Sequence, residues 1–591
     1  MKKLASRIKG AAWICLLLVC ACTVGIPIKA APTGPAGAVY YVALTGNDSN
    51  PGTQTQPWRT IQMAANTVVA GSTVIVNAGT YNETVIESTS GTGPNAMIQF
   101  LANGAVTIKA FYIQGDYIEL NGFTVTPTDC TWDAAIEVTG NYALIQNNRV
   151  QDSTRVGIAT RDNTTGAIIR GNIITRVQIM GIQIMGSNQL IENNDISDFR
   201  DHFGSCNYGG ADAIQFHGSN NTFRGNYIHD YYKSSQSGTP HTDAFQTYSD
   251  PVNNKTAAKN TVIERNHIFM GNTSTGQLQE AWTGNSIYGF MIEGNVTDPC
   301  DNLIIRNNLI ESWSGLNAGG GVISGGNVTG LKIYNNTFRS NINFTSNNPG
   351  GIDINQQPIT GEIFNNITVD FANHHYSLSF GGVTFDYNLM WNSNGTRPRL
   401  YGYTIQPHDK RGVDPRFVSN FNDLHLQAGS PAIDAGQRLE KVVGDFDGNP
   451  RPQGARYDIG AYEFPVSSKM ATPTAAHMNE IITFTITIAG NGNPMTVTDP
   501  LPLQLVYLTS TLTCPGSVTY DAAAQRVKYT GTPPAELACV VQIPVRVNTN
   551  QRMAITNSAT IDNGQPPLKS VLATVILNEL GLYLPILLKS G

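Results

Sequence analysis

Between about residues 140 and 390 the chain repeats one phrase: an apolar pair, a polar corner ending in asparagine, then a short apolar strand. The corners read Gln146-Asn147-Asn148, Arg170-Gly171-Asn172, Glu192-Asn193-Asn194, Arg224-Gly225-Asn226, Glu264-Arg265-Asn266, Arg306-Asn307-Asn308, Tyr334-Asn335-Asn336, Phe364-Asn365-Asn366 and Asp386-Tyr387-Asn388. Successive asparagines lie 24, 22, 32, 40, 42, 28, 30 and 22 residues apart. Short strands at a period in the low twenties predict a β-solenoid, in which each coil buries its apolar face only against its neighbours. The asparagine column reads as structural, because Asn tolerates left-handed turns and stacked Asn side chains satisfy neighbouring backbone groups.

After each corner strand comes a variable loop and a further strand. These further strands align as Gly157-Ile-Ala-Thr, Gly181-Ile-Gln-Ile, Ala213-Ile-Gln-Phe, Ala244-Phe-Gln-Thr, Gly289-Phe-Met-Ile and Gly351-Ile-Asp-Ile. In-register residues of adjacent coils stack at about 4.8 Å. Ile182, Ile214 and Phe245 are therefore expected inside, and Gln183, Gln215 and Gln246 along an outer face. The three long coils carry Gly-Ala-Asp212-Ala-Ile-Gln-Phe-His217 and His241-Thr-Asp243-Ala-Phe-Gln. Extra loop length thus coincides with acids and histidines.

Residues 39–85 combine a strand, an Asn/Pro/Gly turn, an amphipathic helix with Ile61, Ala64, Ala65 and Val68 on one face, and another strand. They closely resemble the opening of many secreted right-handed parallel β-helix proteins of the pectin-lyase-like superfamily, with a cap of the DUF1565-like type. Residues 412–464, with Gly-Ser-Pro-Ala-Ile-Asp-Ala-Gly and Asp445-Phe-Asp447-Gly-Asn449, resemble the segment that closes such proteins. The Asp-x-Asp-Gly-Asn run fits a calcium loop or a turn; without a later bidentate Glu, the turn is favoured. From 473 the chain alternates in short strands such as Ile481-Ile-Thr-Phe-Thr-Ile-Thr-Ile, resembling an immunoglobulin-like surface-protein repeat.

The expected architecture is all-β: a signal peptide (1–31), a cap (32–95), a right-handed parallel β-helix (96–411), a closing segment (412–465), a linker (466–472), an immunoglobulin-like β-sandwich (473–578) and a short apolar tail (579–591). The first 31 residues, with a basic start and an apolar run, read as a secretory leader. The expected location is extracellular, with attachment to the cell envelope through the C-terminal domain and tail, and the expected state is a monomer.

Composition sharpens this. Only 14% of residues are charged and the net charge is −6, which argues against nucleic acid as a partner. An anionic polymer would need a local basic group or a cation. Of eight cysteines, Cys15, Cys20 and Cys22 fall in the leader; of the other five, Cys130 among them, Cys514 and Cys539 are expected to pair, Cys206 and Cys300 are candidates for a second bridge, and the odd count leaves at least one thiol unpaired within the chain.

Asp212 and Asp243 share a register one coil apart, and two close carboxylates suit two chemistries. In a glycoside hydrolase one serves as acid and the other as nucleophile or base, with no cofactor. In a lyase, Asp201, Asp212 and Asp243 would hold Ca²⁺ while a basic residue abstracts a proton. His217 and His241 are candidates to assist catalysis. Gln215, Gln246, His202, Tyr231, Lys233 and Trp282 are candidates to bind substrate, with His229, Tyr232 and Glu280 nearby. An Asp at a loop-to-strand junction also caps backbone amides, so a purely structural pair is the alternative. The resemblance, spanning roughly 39–464, implies a carbohydrate-active protein with a polysaccharide as partner. No Asn-Thr-Asp, Asp-Asp, Gly-His-Gly series and no Arg-rich strand signature is present, so no catalytic set carries over. The expected function is polysaccharide cleavage, with hydrolysis favoured, Ca²⁺-dependent elimination on a uronic-acid polymer second, and a non-catalytic adhesin the rival.

Overall fold

The computed structural model describes residues 37–127, 134–198, 212–231, 242–278, 287–318, 327–344, 350–354, 359–378, 382–419, 423–427, 429–464, 467–490, 493–533, 538–562 and 569–578. The leader, the tail, Cys130, Asp201, His202, Cys206, Tyr232, Lys233, His241, Glu280 and Trp282 lie outside the described residues.

The repeating part is a right-handed parallel β-helix with three strands per coil, one more than the sequence pattern suggested. The apolar pair that precedes each asparagine is a strand of its own. Leu144–Gln146, Ile168–Arg170, Leu190–Glu192, Thr222–Arg224, Val262–Glu264 and Ile304–Arg306 pair in parallel as one face. Arg149–Gln151, Ile173–Thr175, Asp195–Ser197, Tyr227–His229, His267–Phe269 and Leu309–Glu311 form the second. The third is a 12-stranded sheet running from Thr84–Glu87 to Leu400–Tyr401.

The corner between the first two faces explains the asparagine column. The residue before each ladder asparagine is left-handed, with φ 56° at Asn147, 61° at Gly171, 54° at Asn193, 63° at Gly225, 54° at Arg265 and 60° at Tyr387. The ladder asparagine itself spends its side chain on the coils either side. Asn194 Nδ2 donates to Ile169 O (2.9 Å) and to Asn226 Oδ1 (3.0 Å), and Asn226 Oδ1 also accepts the Asn194 amide (3.1 Å). The same links run from Asn148 to Asn388, where Asp409 accepts the last amide.

Inside, Ile158, Ile182, Ile214, Phe245, Phe290, Leu316, Ile352 and Tyr376 stack in register, none more than 1% exposed. Burying each such side chain stabilises the fold by about 1.5–3 kcal/mol. At the N-terminus the helix Ile61–Ala65 buries Ile61, Ala64 and Ala65, capping the first coils as expected.

The closing segment covers a flank rather than only the end. Asn307 Nδ2 donates to Gly444 O (2.7 Å), Asn335 Nδ2 to Asp458 O (2.9 Å) and Asn365 Nδ2 to Gln437 O (2.8 Å). Its Phe417, Leu424, Ile459 and Tyr462 pack on Leu309, Ile367 and Leu389 of the second face. Asp445 caps the turn, accepting from the Asn449 and Glu463 amides (2.7 and 3.1 Å), so the turn geometry is the observed one.

The C-terminal unit is a β-sandwich of a 5-stranded and a 6-stranded sheet around a separate core. It begins earlier than expected: Ser468–Thr472, inside the anticipated linker, pairs antiparallel with Ile481–Ala489. Cys514 and Cys539 form a disulfide. Cys300, by contrast, is a buried free thiol whose Sγ donates to Glu293 O (3.3 Å), which corrects the expected Cys206–Cys300 bridge. Among the described residues no helix is long and apolar enough to cross a membrane.

Candidate functional site

The third sheet carries the sequence-level candidates. Gln215 pairs with Gln246 and Ile214 with Phe245, which puts Asp212 and Asp243 in one register as expected. Their surroundings differ from expectation. Asp212 Oδ1 accepts the Asp243 amide (2.9 Å), and the two residues are 6% and 0% exposed. They are a buried pair with a backbone-capping function, not an open acid/base couple. The third candidate Ca²⁺ ligand, Asp201, lies outside the described residues; among those described, no group of three or more His, Cys, Asp or Glu could hold a metal ion.

The glutamine column is a locked ladder. Gln183 Nε2 donates to Gln215 Oε1 (3.2 Å) and Gln215 Nε2 to Gln246 Oε1 (3.0 Å). Arg161 begins it, donating to Gln183 Oε1 (3.1 Å) while pairing with Glu137 (2.9 Å). With their amides committed and buried, Gln215 and Gln246 position neighbours instead of reaching substrate.

The neighbour they position was not singled out in the sequence. Lys255 Nζ donates to Gln215 Oε1 (3.1 Å) and to the Tyr248 hydroxyl, and lies 4.7 Å over the Tyr248 ring. Both sit at the end of Thr242–Thr247, the strand of the long coil that carries Asp243; a turn around Pro251–Asn253 brings Lys255 back over the ladder. Burial pulls the Lys255 ammonium below the ordinary lysine range, against the opposing charges of Asp250 and Asp212. Burial, reinforced by Asp212 and Asp250, pushes Tyr248 up to about 12. Lys255 is only half-buried, and it lines a cleft of about 760 Å³ with Asp162, Ser187, Ser219, Asn254 and Asp298. The cleft crosses the turns that follow the third-sheet strands in successive coils.

Other candidates fall elsewhere. His217 is fully buried, with Nδ1 on Thr256 O (3.1 Å) and its ring edge-on to Tyr248 at 5.1 Å; burial and Lys255 lower it to about 4, so it is a neutral packing partner. Tyr231 packs into the helix core and donates to Thr242 Oγ1 (3.3 Å), which corrects its expected role as a sugar contact. His229 lies on the second face between Asp195 and Asp230 (3.0 and 2.9 Å), away from the ladder. Lys255 is one of four cations in its long coil, with Lys233, Lys259 and Arg265, so charge alone did not mark it out. The six residues between Tyr248 and Lys255 form a loop without register, so its return onto Gln215 was not readable.

A family described as "Protein of unknown function (DUF1565)" matches residues 44–89, the N-terminal cap. The uncharacterized protein YwoF of Bacillus subtilis (strain 168) is 42% identical over 57 residues, 10% of this chain and 12% of that protein's length. Among solved structures the chain is similar to pectate lyase Pel9A (18% identity, 73% of this chain and 97% of that one, TM-score 0.42). It is also similar to XylC in complex with xylose (13%, 72% and 98%, TM-score 0.46). These are likenesses of form, and the site stands on its own geometry.

Proposed function

We propose that this chain cleaves a uronic-acid polysaccharide by β-elimination, with Lys255 as the base. One observation carries this reading: a half-buried amine of depressed basicity lines a cleft and touches a buried phenol behind it. An amine held closer to neutrality is the group that proton abstraction next to a carboxyl needs. Lys255 Nζ takes the C5 proton, the C5–H electrons become the C4=C5 double bond, and the C4–O4 bond breaks with its electrons leaving on O4. Tyr248, with a proton to give up to about pH 12, protonates O4. The Lys255–Tyr248 contact then returns the abstracted proton to the phenol, so the cycle closes without an oxidant or external acid.

Glycoside hydrolysis by Asp212 and Asp243 fits less well. That chemistry needs two carboxylates reachable by sugar and water, and these two are buried with one capping the other's backbone. The test is to compare Lys255→Met with the unchanged chain on polygalacturonate, alginate and glucuronan. Turnover should fall at least about 10³-fold with KM changed little, because the lost group acts in the transition state. A variant that keeps its turnover removes Lys255 from the mechanism.

A further inference from the structure

Three polar residues occupy inward positions in the C-terminal sandwich where the strand alternation calls for apolar ones. In Ser468–Thr472 the lysine faces in and the methionine faces out: Lys469 is 6% exposed and Met470 59%. Asp499 ends the inward series Met495, Val497, Asp499, and Asn557 lies between inward Ile555 and Ala559; both are 1% exposed. The three meet between the sheets. Lys469 Nζ lies 2.5 Å from Asp499 Oδ1, Asn557 Nδ2 lies 3.4 Å from Asp499 Oδ2, and the amine sits 4.9 Å over the Phe484 ring. Around them are Ile482, Ile486, Val497 and Ile555.

As a plain ion pair this arrangement is poor. Desolvating two charges costs several kcal/mol each, and one contact rarely recovers it. The Asn557 carbonyl oxygen is also buried with no hydrogen-bond partner among the described residues, a further cost of about 1–3 kcal/mol. Burial draws Lys469 down to about 8 and pushes Asp499 up, so a neutral amine beside a neutral acid is within reach. A neutral amine, a carboxylic acid and a primary amide, held together and shut off from water, are the reactants and catalyst of an amide exchange.

We infer that Lys469 and Asn557 join in an intramolecular isopeptide bond, with Asp499 as the proton shuttle. Lys469 Nζ attacks Asn557 Cγ with the Asp499 carboxyl lying against both the attacking amine and the carboxamide Nδ2. The carboxylate form takes the proton that the nitrogen sheds and passes it to the departing Nδ2. The Cγ–Nδ2 bond breaks, ammonia leaves, and an Nζ–Cγ amide remains. Nothing is oxidised or reduced, and no co-reactant is required. The bond would tie Ser468–Thr472 of one sheet to Met553–Asp562 of the other.

Peptide mapping of the full chain after reduction and denaturing digestion tests this. Expected is one branched peptide holding Lys469 and Asn557, lighter than its two parts by one ammonia, at near-complete yield. Asp499→Asn, close in shape, should leave both peptides separate and the chain heavier by that ammonia relative to the linked form. Separate, unmodified Lys469 and Asn557 peptides from the unchanged chain would overturn the inference. So would a link to Asp499 with loss of water, or a link that survives Asp499→Asn.

Discussion

At the residue scale, the decisive contrast is between two kinds of buried titratable group. Lys255 keeps a path to the cleft, so its depressed basicity is usable; His217, and His375 of the third-sheet strand His374–Leu378, which is held between Thr368 Oγ1 and Asn392 Oδ1 (2.9 and 2.8 Å), are sealed, so theirs is only a cost. Activity should rise with pH as Lys255 loses its proton and fall only near the Tyr248 value of about 12. Asp212 holds Lys255 up, so Asp212→Asn should shift the acid limb to lower pH, by roughly half a unit. Asn keeps an oxygen for the Asp243 amide, and a pH–rate profile of the two proteins reads the shift directly. The histidines act on stability instead. Burial lowers both to about 4, so the unfolded chain binds more protons between about 6.5 and 4. Their neutral burial costs nothing above that window, and stability falls as pH drops through it, by about 3 kcal/mol per histidine at the limit. Denaturant midpoints across that range should show the loss, and His375→Gln should reduce it.

At the element scale, the corner is the unit that repeats. The asparagine column was legible because every coil needs one side chain that satisfies two neighbouring backbones, and the spacing exposed it. Its conformational reason was not legible. The left-handed residue is the one before the asparagine, where Gly171 and Asn193 are suited to it but Arg265 and Tyr387 are also held there. Seven of the nine such residues are Asn or Gly, and register across coils holds the other two in the same conformation. Asn266 donates to Phe223 O and Asn308 Oδ1 and accepts from Asn226, and both its neighbours in the ladder are buried. Asn266→Ala should therefore cost about 3 kcal/mol or more, read as a lowered denaturation midpoint. The strand count per coil was underread for a related reason: three-residue strands are too short to show a period of two.

At the scale of the whole molecule, parallel coils come first and a two-sheet unit follows, the order in which the two strand patterns run in the sequence. Long-range docking was beyond it. Arg451 reaches Asn307 Oδ1 (3.1 Å), 144 residues away, and forms a fully buried pair with Glu463 (2.6 Å). Arg451→Met would leave that carboxylate buried without its cation, and breaking such a pair costs about 3–5 kcal/mol. Thermal unfolding should show the loss in the β-helix transition and leave the sandwich, with its separate core, unchanged. The candidate site was half legible for the same reason. Asp212, Gln215 and Gln246 lie on strands whose register the repeat reveals, whereas Lys255 arrives from a loop.

The most direct measurement is the structure of the product that the purified chain releases from a uronic-acid polymer, by nuclear magnetic resonance and ultraviolet absorbance. The account predicts 4,5-unsaturated non-reducing ends in equal number to new reducing ends, and neither from Lys255→Met. Saturated ends beside new reducing ends would contradict it and return the site to hydrolysis by Asp212 and Asp243.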